Sequence, residues 1–411
     1  MLRLRHLPLL AAVLAAGCHP SQALLVPPVA APHLPSLPRT LAVPDISGIP
    51  DDLPALAPAA GDYLHLAAEQ CRALACEHAP GARAIVDAAR DDDRGYIFDG
   101  GVKAETARLR RVLARRLAQE ARNRSAGAAL DLYYRLLEAE LLADLLTSGV
   151  TELDELVRVA EGFRDRGFAD GAELSRLRKQ QADARTDLLR VRQGGRKLNG
   201  ELKSLIGLGV TPGNILPTDR VTVVRDRLDP DAAVKLALTR RADLIGLREL
   251  DAGLGPKTVE AVRHAVIALV PVIQPVTAVS YTAAAGLAHF LPHLLEKDVA
   301  AYRELLREAL ARRQLDADKE VRAAVDEWAV QQDLVAVAKR RAAAERQRLA
   351  ELTGRKAGGA AVEAEYHATR LEALRADAEL VREAVKWKRA DVAARQAMGL
   401  LCGADEAPVC R

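Results

Sequence analysis

The feature that most constrains the fold is a long helical pattern that occurs twice along the 411-residue chain. A shift of 192 residues, without a gap, brings identical residues of the two copies into line, among them Gly167 with Gly359, Glu173 with Glu365, Ala184 with Ala376, and Gly207 with Gly399. Repeats of about 150 residues are far longer than the units of short solenoid proteins. The sequence therefore predicts two copies of one large supersecondary unit.

Each copy carries apolar residues at the spacing of a coiled coil. In the first copy one heptad position holds Leu174, Gln181, Leu188, Gly195 and Leu202, and the partner position holds Leu177, Ala184, Val191, Leu198 and Leu205. This spacing predicts a helix from Glu173 to Ile206, about 50 Å long at 1.5 Å per residue. Another long helical pattern precedes Gly167 and Gly171, so we expect the chain to reverse there between two antiparallel helices.

The composition fits helices that pack closely through small side chains. Hydrophobic residues make up 49% of the chain but aromatic residues only 3%, so the core must consist mainly of Ala, Leu and Val. The 59 basic residues almost balance the 56 acidic ones. A nucleic-acid partner is not expected, because phosphate binding usually leaves a clear basic excess.

The N-terminus has the pattern of an export signal. Arg3 and Arg5 precede a short apolar run that ends in Leu14-Ala15-Ala16-Gly17-Cys18. This resembles a bacterial lipoprotein signal, which implies cleavage after residue 17 and lipidation of Cys18; an ordinary secretory signal with a chance cysteine is the alternative. His19 implies export to the outer membrane. The proline-rich residues 18–62 are expected to form an extended tether.

Four further cysteines are candidates for disulfide bonds in an oxidising compartment: Cys71, Cys76, Cys402 and Cys410. Two bonds among four cysteines have three possible connectivities, and the sequence does not choose among them. A metal site is the weaker interpretation, because the cysteines lack zinc-site spacing. We expect structural disulfides, no metal and no cofactor.

The ends of the repeats resemble those of the TolC-like outer membrane efflux family. Members open each repeat with the motif ALxxNPxL and close it with LLG. The second repeat here opens with Ala237-Leu238 and Ala242-Asp243-Leu244, and the first keeps Pro80. The closing signals are Leu205-Ile206-Gly207 and Ala397-Met398-Gly399, and the likeness covers residues 65 to 400.

The resemblance implies a mainly α fold made of two tandem repeats of long antiparallel, coiled-coil-like helical hairpins, with little or no β-barrel. The implied organisation is a signal peptide (1–17), a tether (18–62), repeat 1 (63–208), a linker (209–230), repeat 2 (231–400) and a C-terminal tail (401–411). Residues 265–295 form an uncharged insert that is interpreted as buried or interfacial rather than as a membrane-spanning hairpin of strands.

The resemblance also implies a function. It suggests a lipid-anchored homotrimer on the periplasmic face of the outer membrane, serving as the channel of an efflux or secretion assembly with a periplasmic adaptor and an inner-membrane transporter. By position, the adaptor contacts are the helical tips: Arg166, Gly167 and Phe168, and Ala357, Gly358 and Gly359. The alternative is a periplasmic helical scaffold that lacks a barrel and a pore. No nucleophile or phosphate-loop motif is complete, so an enzyme is not expected.

Overall fold

The structure is a computed structural model. It describes residues 39–40, 63–91, 101–167, 171–209, 211–223, 227–256, 258–259, 299–354 and 360–403. These belong to one compact unit, Leu34–Arg411. Cys18, Cys410, the insert 265–295 and, apart from residues 39–40, the tether 18–62 lie outside the described residues, as do four of the predicted tip residues.

The described elements are mostly helices, four of them long. The helices are α1 (Ala68–His78), α2 (Ala82–Asp91), α3 (Gly101–Asp165), α4 (Gly171–Leu205), α5 (Pro230–Arg240), α6 (Ala242–Gly253), α7 (Val299–Thr353) and α8 (Ala360–Ala397). The strands are β1 (Arg39–Thr40), β2 (Tyr63–Leu66), β3 (Asn214–Pro217) and β4 (Arg227–Leu228). With 65 residues, α3 is about 98 Å long. This architecture confirms the predicted mainly α fold.

The heptad pattern of the first copy forms the packed face of α4. Leu174, Gly195 and Leu202 are buried, and the other seven heptad residues are half-buried, whereas most remaining positions of this helix are exposed. Gly195 allows close approach, because a Cβ there would lie 3.7 Å from the Cβ of Ala139 on α3. The observed helix begins two residues before the predicted one and ends one residue earlier.

The four long helices form a layer in the order α7, α8, α3, α4, with adjacent helices packed along their lengths. The hairpins α3–α4 and α7–α8 are the two copies of the repeat, and α3 and α8 join them. Three contacts fix the register of this junction: Glu152 with His367, Arg158 with Glu363, and Asp131 with Arg389. In each contact the two residue numbers add to between 519 and 521, so α3 and α8 run antiparallel without a shift.

Two small sheets attach the connecting segments to this layer. Strand β2 pairs with β3 in parallel, and β1 pairs with β4 in antiparallel. The buried Tyr133 hydroxyl donates to the carbonyl of Leu66 at 3.0 Å and accepts from the backbone N–H groups of Thr218 and Asp219 at 3.2 Å. Asp219 in turn accepts from the N–H of Ala68 at 3.0 Å, so the linker between the repeats supplies the N-terminal cap of α1.

Each repeat opens with two short helices joined at a sharp joint. In repeat 2 the joint is Arg241 alone, which has extended φ and ψ values between α5 and α6. The predicted closing glycines pack on these joints: a Cβ at Gly207 would lie 2.7 Å from the His78 ring, and one at Gly399 would lie 3.1 Å from Cα of Arg241. The opening and closing motifs are therefore in contact within each repeat.

None of the helices among the described residues is both long enough and apolar enough to cross a membrane.

Candidate functional site: hairpin tip, inter-repeat junction and outer edges

The first hairpin reverses at Gly167. Its φ is +76°, a conformation that favours glycine, and its N–H donates to the carbonyl of Arg164 at 2.8 Å. Nothing lies within 4 Å of the position that a Cβ would occupy there, and Arg166 and Gly167 are both exposed. The described half of this tip is therefore an exposed tight turn, in which a side chain at residue 167 would have open space. Phe168, Ala357, Gly358 and Gly359 lie outside the described residues.

Fifteen residues before Gly167 along the chain, a buried polar cluster links the repeats. Glu152 on α3 is 4% exposed, and one of its carboxylate oxygens lies 2.7 Å from Nδ1 of His367 on α8. The other oxygen lies 3.1 Å from Nε of Arg370. Leu153, Leu156 and Leu371 pack beside this cluster. A carboxylate held from two sides by cationic or donor groups fixes the two hairpins to each other, because an unpaired charge in such a place would be costly.

An open groove of about 380 Å³ runs over α3 between α4 and α8. Leucines cover much of its lining, including Leu145 and Leu371. The α4 side also carries Asp183 and Asp187, whereas the α8 side carries Arg375 and Arg382. The groove is thus apolar along its floor and opposite in charge at its two sides.

The outer helices of the layer carry apolar residues that this chain leaves exposed. On α7 these include Leu315, Val330, Leu334 and Val337, and on α4 there is Leu189. Val330, Leu334 and Val337 follow at intervals of four and three residues, so they form one stripe along α7. Exposed apolar stripes on long helices are typical of surfaces that another helix covers.

The cysteines at the first joint are paired across the chain. Cys76 on α1 is bonded to Cys402, with a Cα–Cα distance of 6.3 Å, and the bond ties the opening of repeat 1 to the end of repeat 2. Arg72, which is 1% exposed, donates to the carbonyl of Leu401 at 2.5 Å beside this bond. Of the pairings that the sequence left open, the structure therefore contains Cys76–Cys402.

The expectation of a disulfide at Cys71 was wrong within the described part of the chain, where Cys71 carries a free thiol. Residues 71 and 76 are five apart on α1, so their side chains point about 140° away from each other around the helix. Cys76 faces Leu401 and Cys402, whereas Cys71 is fully buried in the core. Burial, followed by the nearby charge of Asp219, raises the pKa of Cys71 to about 12, so the thiol stays protonated.

A buried ionic network closes the second joint. Arg241 and Arg313 both donate to the carboxylate of Asp243, at 2.9 Å and 2.8 Å, and both also pair with Glu320. Arg241 further donates to the carbonyl of Ala397 at the end of α8. Burial alone would raise the pKa of Asp243, but the two arginines outweigh it and hold the pKa below its ordinary value.

Comparison with solved structures decides what this arrangement is. The CmeC outer membrane channel of Campylobacter jejuni superposes with a TM-score of 0.56 at 10% identity, covering 82% of this chain and 86% of that one. The outer membrane protein VceC of Vibrio cholerae gives 0.56 at 13%, covering 81% and 96%. The open state of the MtrE outer membrane channel of Neisseria gonorrhoeae gives 0.55 at 12%, covering 90% and 99%. The chain has the TolC-like fold.

The likeness to the TolC-like fold is one of structure and not of sequence, because no protein-family model and no curated protein matches the sequence. The resemblance suggested by the repeat, the joints and the closing glycines is thereby confirmed at the level of fold.

Sequence reasoning missed the residues that join the repeats. Glu152 and His367 look like ordinary polar positions on helical faces, and they are brought together across 215 residues. The exposed stripe on α7 and the exposed Leu189 on α4 were missed as well. A signal was present for two of these residues, because the 192-residue shift aligns Leu189 with Val381 and Leu334 with Leu142, which are apolar in both copies.

Proposed function

We propose that the chain is the tunnel component of an efflux or secretion assembly in the cell envelope, anchored to the periplasmic face of the outer membrane by lipid on Cys18. The TolC-like fold, shared with outer membrane channels over more than 80% of this chain, supports this proposal. The lipoprotein-like sequence before Cys18 supports the anchor. In this proposal the substrate passes through a tube of helices, and the chain performs no chemistry.

The observation that carries the proposal is the single layer of four long helices with two open edges. A closed helical bundle would bury its apolar stripes within one chain. Here α4 and α7 each pack on one long neighbour and expose apolar residues on the outer side. Such a layer is suited to be one segment of a tube, in which further copies of the chain cover both edges. We propose that the tube contains three copies, because the resemblance to the TolC-like family implies a trimer.

The proposed partners are a periplasmic adaptor and an inner-membrane transporter. The tips at Arg166–Phe168 and Ala357–Gly359 are proposed to contact the adaptor. Support comes from the exposed turn at Gly167, which lies about 50 Å along α4 from the joints at which the repeats open. An exposed tight turn is suited to meet another protein.

Conductance of the purified, lipidated full-length chain in planar bilayers tests the proposal. We expect stable unitary current steps. The matched control is Leu189→Arg, which places a charge on an exposed edge and therefore should abolish the steps while leaving helicity intact. A wild-type protein that assembles into oligomers and never conducts would contradict the channel and favour the helical scaffold.

Lipidation is tested separately. Labelled palmitate should enter the wild-type chain, and Cys18→Ser should accumulate unprocessed precursor outside the detergent phase. If label never enters the wild-type chain, the anchor is wrong.

A further inference from the structure

The disulfide joins two cysteines that are far apart in sequence and leaves a much nearer cysteine out. Cys76 lies five residues after Cys71 and 326 residues before Cys402, yet it is bonded to Cys402, and Cys71 carries a free thiol in the described part of the chain. In an unfolded chain the chance that two residues meet falls as roughly the 3/2 power of their separation, so the local pair meets about 500-fold more often. Sequence separation alone therefore favours the wrong bond.

The order of export favours the same wrong bond. This step rests on the proposed function, in which the chain is exported with its N-terminus first and Cys18 carries lipid. Cys71 and Cys76 then enter the oxidising compartment 326 residues ahead of Cys402. If export keeps pace with synthesis, at roughly 5–20 residues per second, the delay is about 16–65 s. The two N-terminal thiols therefore meet the oxidant while the native partner is absent.

A bond between Cys71 and Cys76 is incompatible with the folded chain. Both residues lie on α1, where five residues of helix separate their Cα atoms by about 8.5 Å. A disulfide requires Cα atoms within about 7 Å of each other. Cys71 is also fully buried in the core that α1 shares with α3. A chain with the local bond must therefore leave α1 unwound and the first joint open.

Non-covalent contacts bring Cys402 to its native partner as the joint folds. The side-chain amide of Asn123 on α3 donates to the carbonyl of Gln396 at 3.1 Å, and its oxygen accepts from the N–H of Leu401 at 3.2 Å. Arg72 on α1 donates to the carbonyl of Leu401. The residue before Cys402 is thus held from both α1 and α3, which raises the local concentration of the Cys402 thiol at α1. The fold therefore selects the right partner once the wrong bond can be exchanged.

Packing also makes the native pairing final. Cys71, Cys76 and Cys402 are 0%, 4% and 1% exposed, so a thiolate in solution cannot reach their sulfur atoms unless the joint opens. Burial raises the pKa of Cys71 to about 12, which keeps its thiol protonated and unreactive near neutral pH. Exchange among the three sulfur atoms is therefore confined to the time before the joint packs.

We propose that the exported chain is a substrate of a thiol–disulfide isomerase, which exchanges a Cys71–Cys76 bond formed during export for the Cys76–Cys402 bond of the folded protein. The partner is defined by its chemistry: it offers an accessible cysteine thiolate near neutral pH and accepts unfolded chain. The free thiol of Cys71 is then the product of the exchange. The wrong bond itself is formed by an oxidase disulfide, which is reduced to a dithiol as the two cysteine thiols are oxidised.

The exchange consumes neither oxidant nor reductant. The isomerase thiolate attacks Sγ of Cys76, the bond to Cys71 breaks, and Sγ of Cys71 leaves as a thiolate that takes up a proton. The thiolate of Cys402 then attacks Sγ of Cys76 in the mixed disulfide, and the isomerase thiolate leaves in the form in which it began. The proton lost by Cys402 balances the one gained by Cys71. One disulfide of the chain is present before and after.

Trypsin distinguishes the two bonds directly. Arg72 lies between the two N-terminal cysteines, so cleavage places them in separate peptides, 40–72 and 73–83, and Cys402 falls in peptide 396–411. The local bond links the first two peptides, whereas the native bond links the second to the third. Cells are pulsed with heavy amino acids and quenched in acid, free thiols are alkylated, and the linked peptides are quantified by mass spectrometry through the chase.

In cells with the envelope isomerase, the local linkage should appear early and give way to the native linkage. In cells without it, the local linkage should persist and the native linkage should fall several-fold. Absence of the local linkage at every time in both strains would overturn the proposal. Equal amounts of the native linkage in both strains would overturn it as well.

Two matched substitutions show which cysteine creates the dependence. Cys71→Ala removes the local partner, so the native linkage should form equally in both strains. Cys410→Ser removes a cysteine and keeps the local pair, so dependence on the isomerase should remain. The reverse pattern would place the wrong bond near the C-terminus and exclude this inference. If Cys71→Ala does not accumulate, the time course of the wild-type linkages still decides.

A purified system gives a second test and separates this inference from the proposed function. The full-length Cys402→Ser chain, unfolded and oxidised to the Cys71–Cys76 bond, is mixed with an isomerase that lacks its second active-site cysteine. The enzyme should be captured as a mixed disulfide on peptide 73–83, and no capture would contradict the proposed exchange. A wild-type chain that conducts but forms its native bond without an isomerase would overturn this inference alone. Recovery of the wild-type chain from cells with every cysteine reduced would contradict the export on which both rest.

Discussion

The joints that open the two repeats occupy equivalent places but are held by different chemistry. At the first joint Cys76 is bonded to Cys402, and Arg72 donates to the carbonyl of Leu401. At the second joint Arg241 binds Asp243 and donates to the carbonyl of Ala397. In both repeats a buried arginine therefore donates to a backbone carbonyl at the end of the chain's last helix or just past it: Ala397 is the last residue of α8, where helix carbonyls lack partners within the helix, and Leu401 lies four residues further on.

The difference shows that the two repeats share a contact at the joint but make it with different residues. A covalent bond secures one joint, and an ionic network secures the other. The first should respond to reductant and the second to acid, so the two joints can be perturbed one at a time.

Removing the charge of Asp243 should have the largest effect. Asp243→Asn leaves Arg241 and Arg313 buried beside a neutral amide, with Glu320 as the remaining carboxylate of the network. Breaking a buried ion pair in this way typically costs about 3–5 kcal/mol of unfolding free energy. Urea denaturation at pH 7 measures the loss. Asp231→Asn is the matched control, because Asp231 pairs with Arg322 at an exposed site and should change stability little.

The same network should limit the stability of the folded protein in acid. The pKa of Asp243 is held below its ordinary value of 3.8, so the ionised carboxylate stabilises the fold above about pH 4. That contribution is lost as the pH falls through the depressed folded-state pKa. Wild-type stability should fall below pH 4 more steeply than that of Asp243→Asn. Parallel curves for the two proteins would show that Asp243 does not titrate in this way.

Opening the disulfide should have the next largest effect. Cys76→Ser should lower the unfolding free energy by about 2–4 kcal/mol, because the bond closes a very long loop in the unfolded chain. Reductant should weaken the wild-type protein by a similar amount and leave Cys76→Ser unchanged. Cys71→Ala is the control for reductant sensitivity. The native Cys71 thiol should also resist alkylation, since burial keeps it protonated.

Alanine substitutions at the closing glycine, Gly399, and at the tip glycine, Gly167, separate the effect of a steric contact from the effect of backbone strain. Gly399 and Gly167 have φ values of +73° and +76°, so alanine costs about 1–2 kcal/mol of strain at either position. At Gly399 the new Cβ would also press against the backbone of Arg241, whereas at Gly167 it would meet nothing. Gly399→Ala should therefore lower the melting temperature more than Gly167→Ala. Equal shifts would mean that the joint absorbs the methyl group without cost.

At the tips any strain stays local, so function should change most there while the global stability of the helices changes least. The substitutions Gly167→Val and Gly359→Val, each made alone, should distort the turn at a local cost of about 1–3 kcal/mol. Delivery of the protein to the cell envelope, its helicity and its oligomer size should stay intact. Capture of the adaptor should weaken, as measured by co-purification from envelopes. Full adaptor binding and transport in both variants would remove the tips as the docking site, whereas global unfolding would show that the glycines serve the fold alone.

Sequence predicted the parts of this fold that depend on local periodicity. The heptad residues of α4 pack where expected, and Gly207 and Gly399 close the repeats. The pairing of Cys76 with Cys402 was not predictable, because nothing local distinguishes it from the other connectivities across 326 residues. The ionic network around Asp243 was hidden for a similar reason. Arg313 is 70 residues away from Asp243 and resembles a solvated helical arginine until the helices are packed.

The exposed stripe on α7 and the exposed Leu189 on α4 also matter for the cell that makes this chain. A newly made copy without neighbours exposes these apolar side chains, and exposed apolar surface is what chaperones bind and what promotes precipitation. If copies associate as proposed, the time that each copy spends alone should limit how much protein accumulates. We expect the yield to follow the rate at which copies meet, with surplus copies removed by proteolysis before they aggregate.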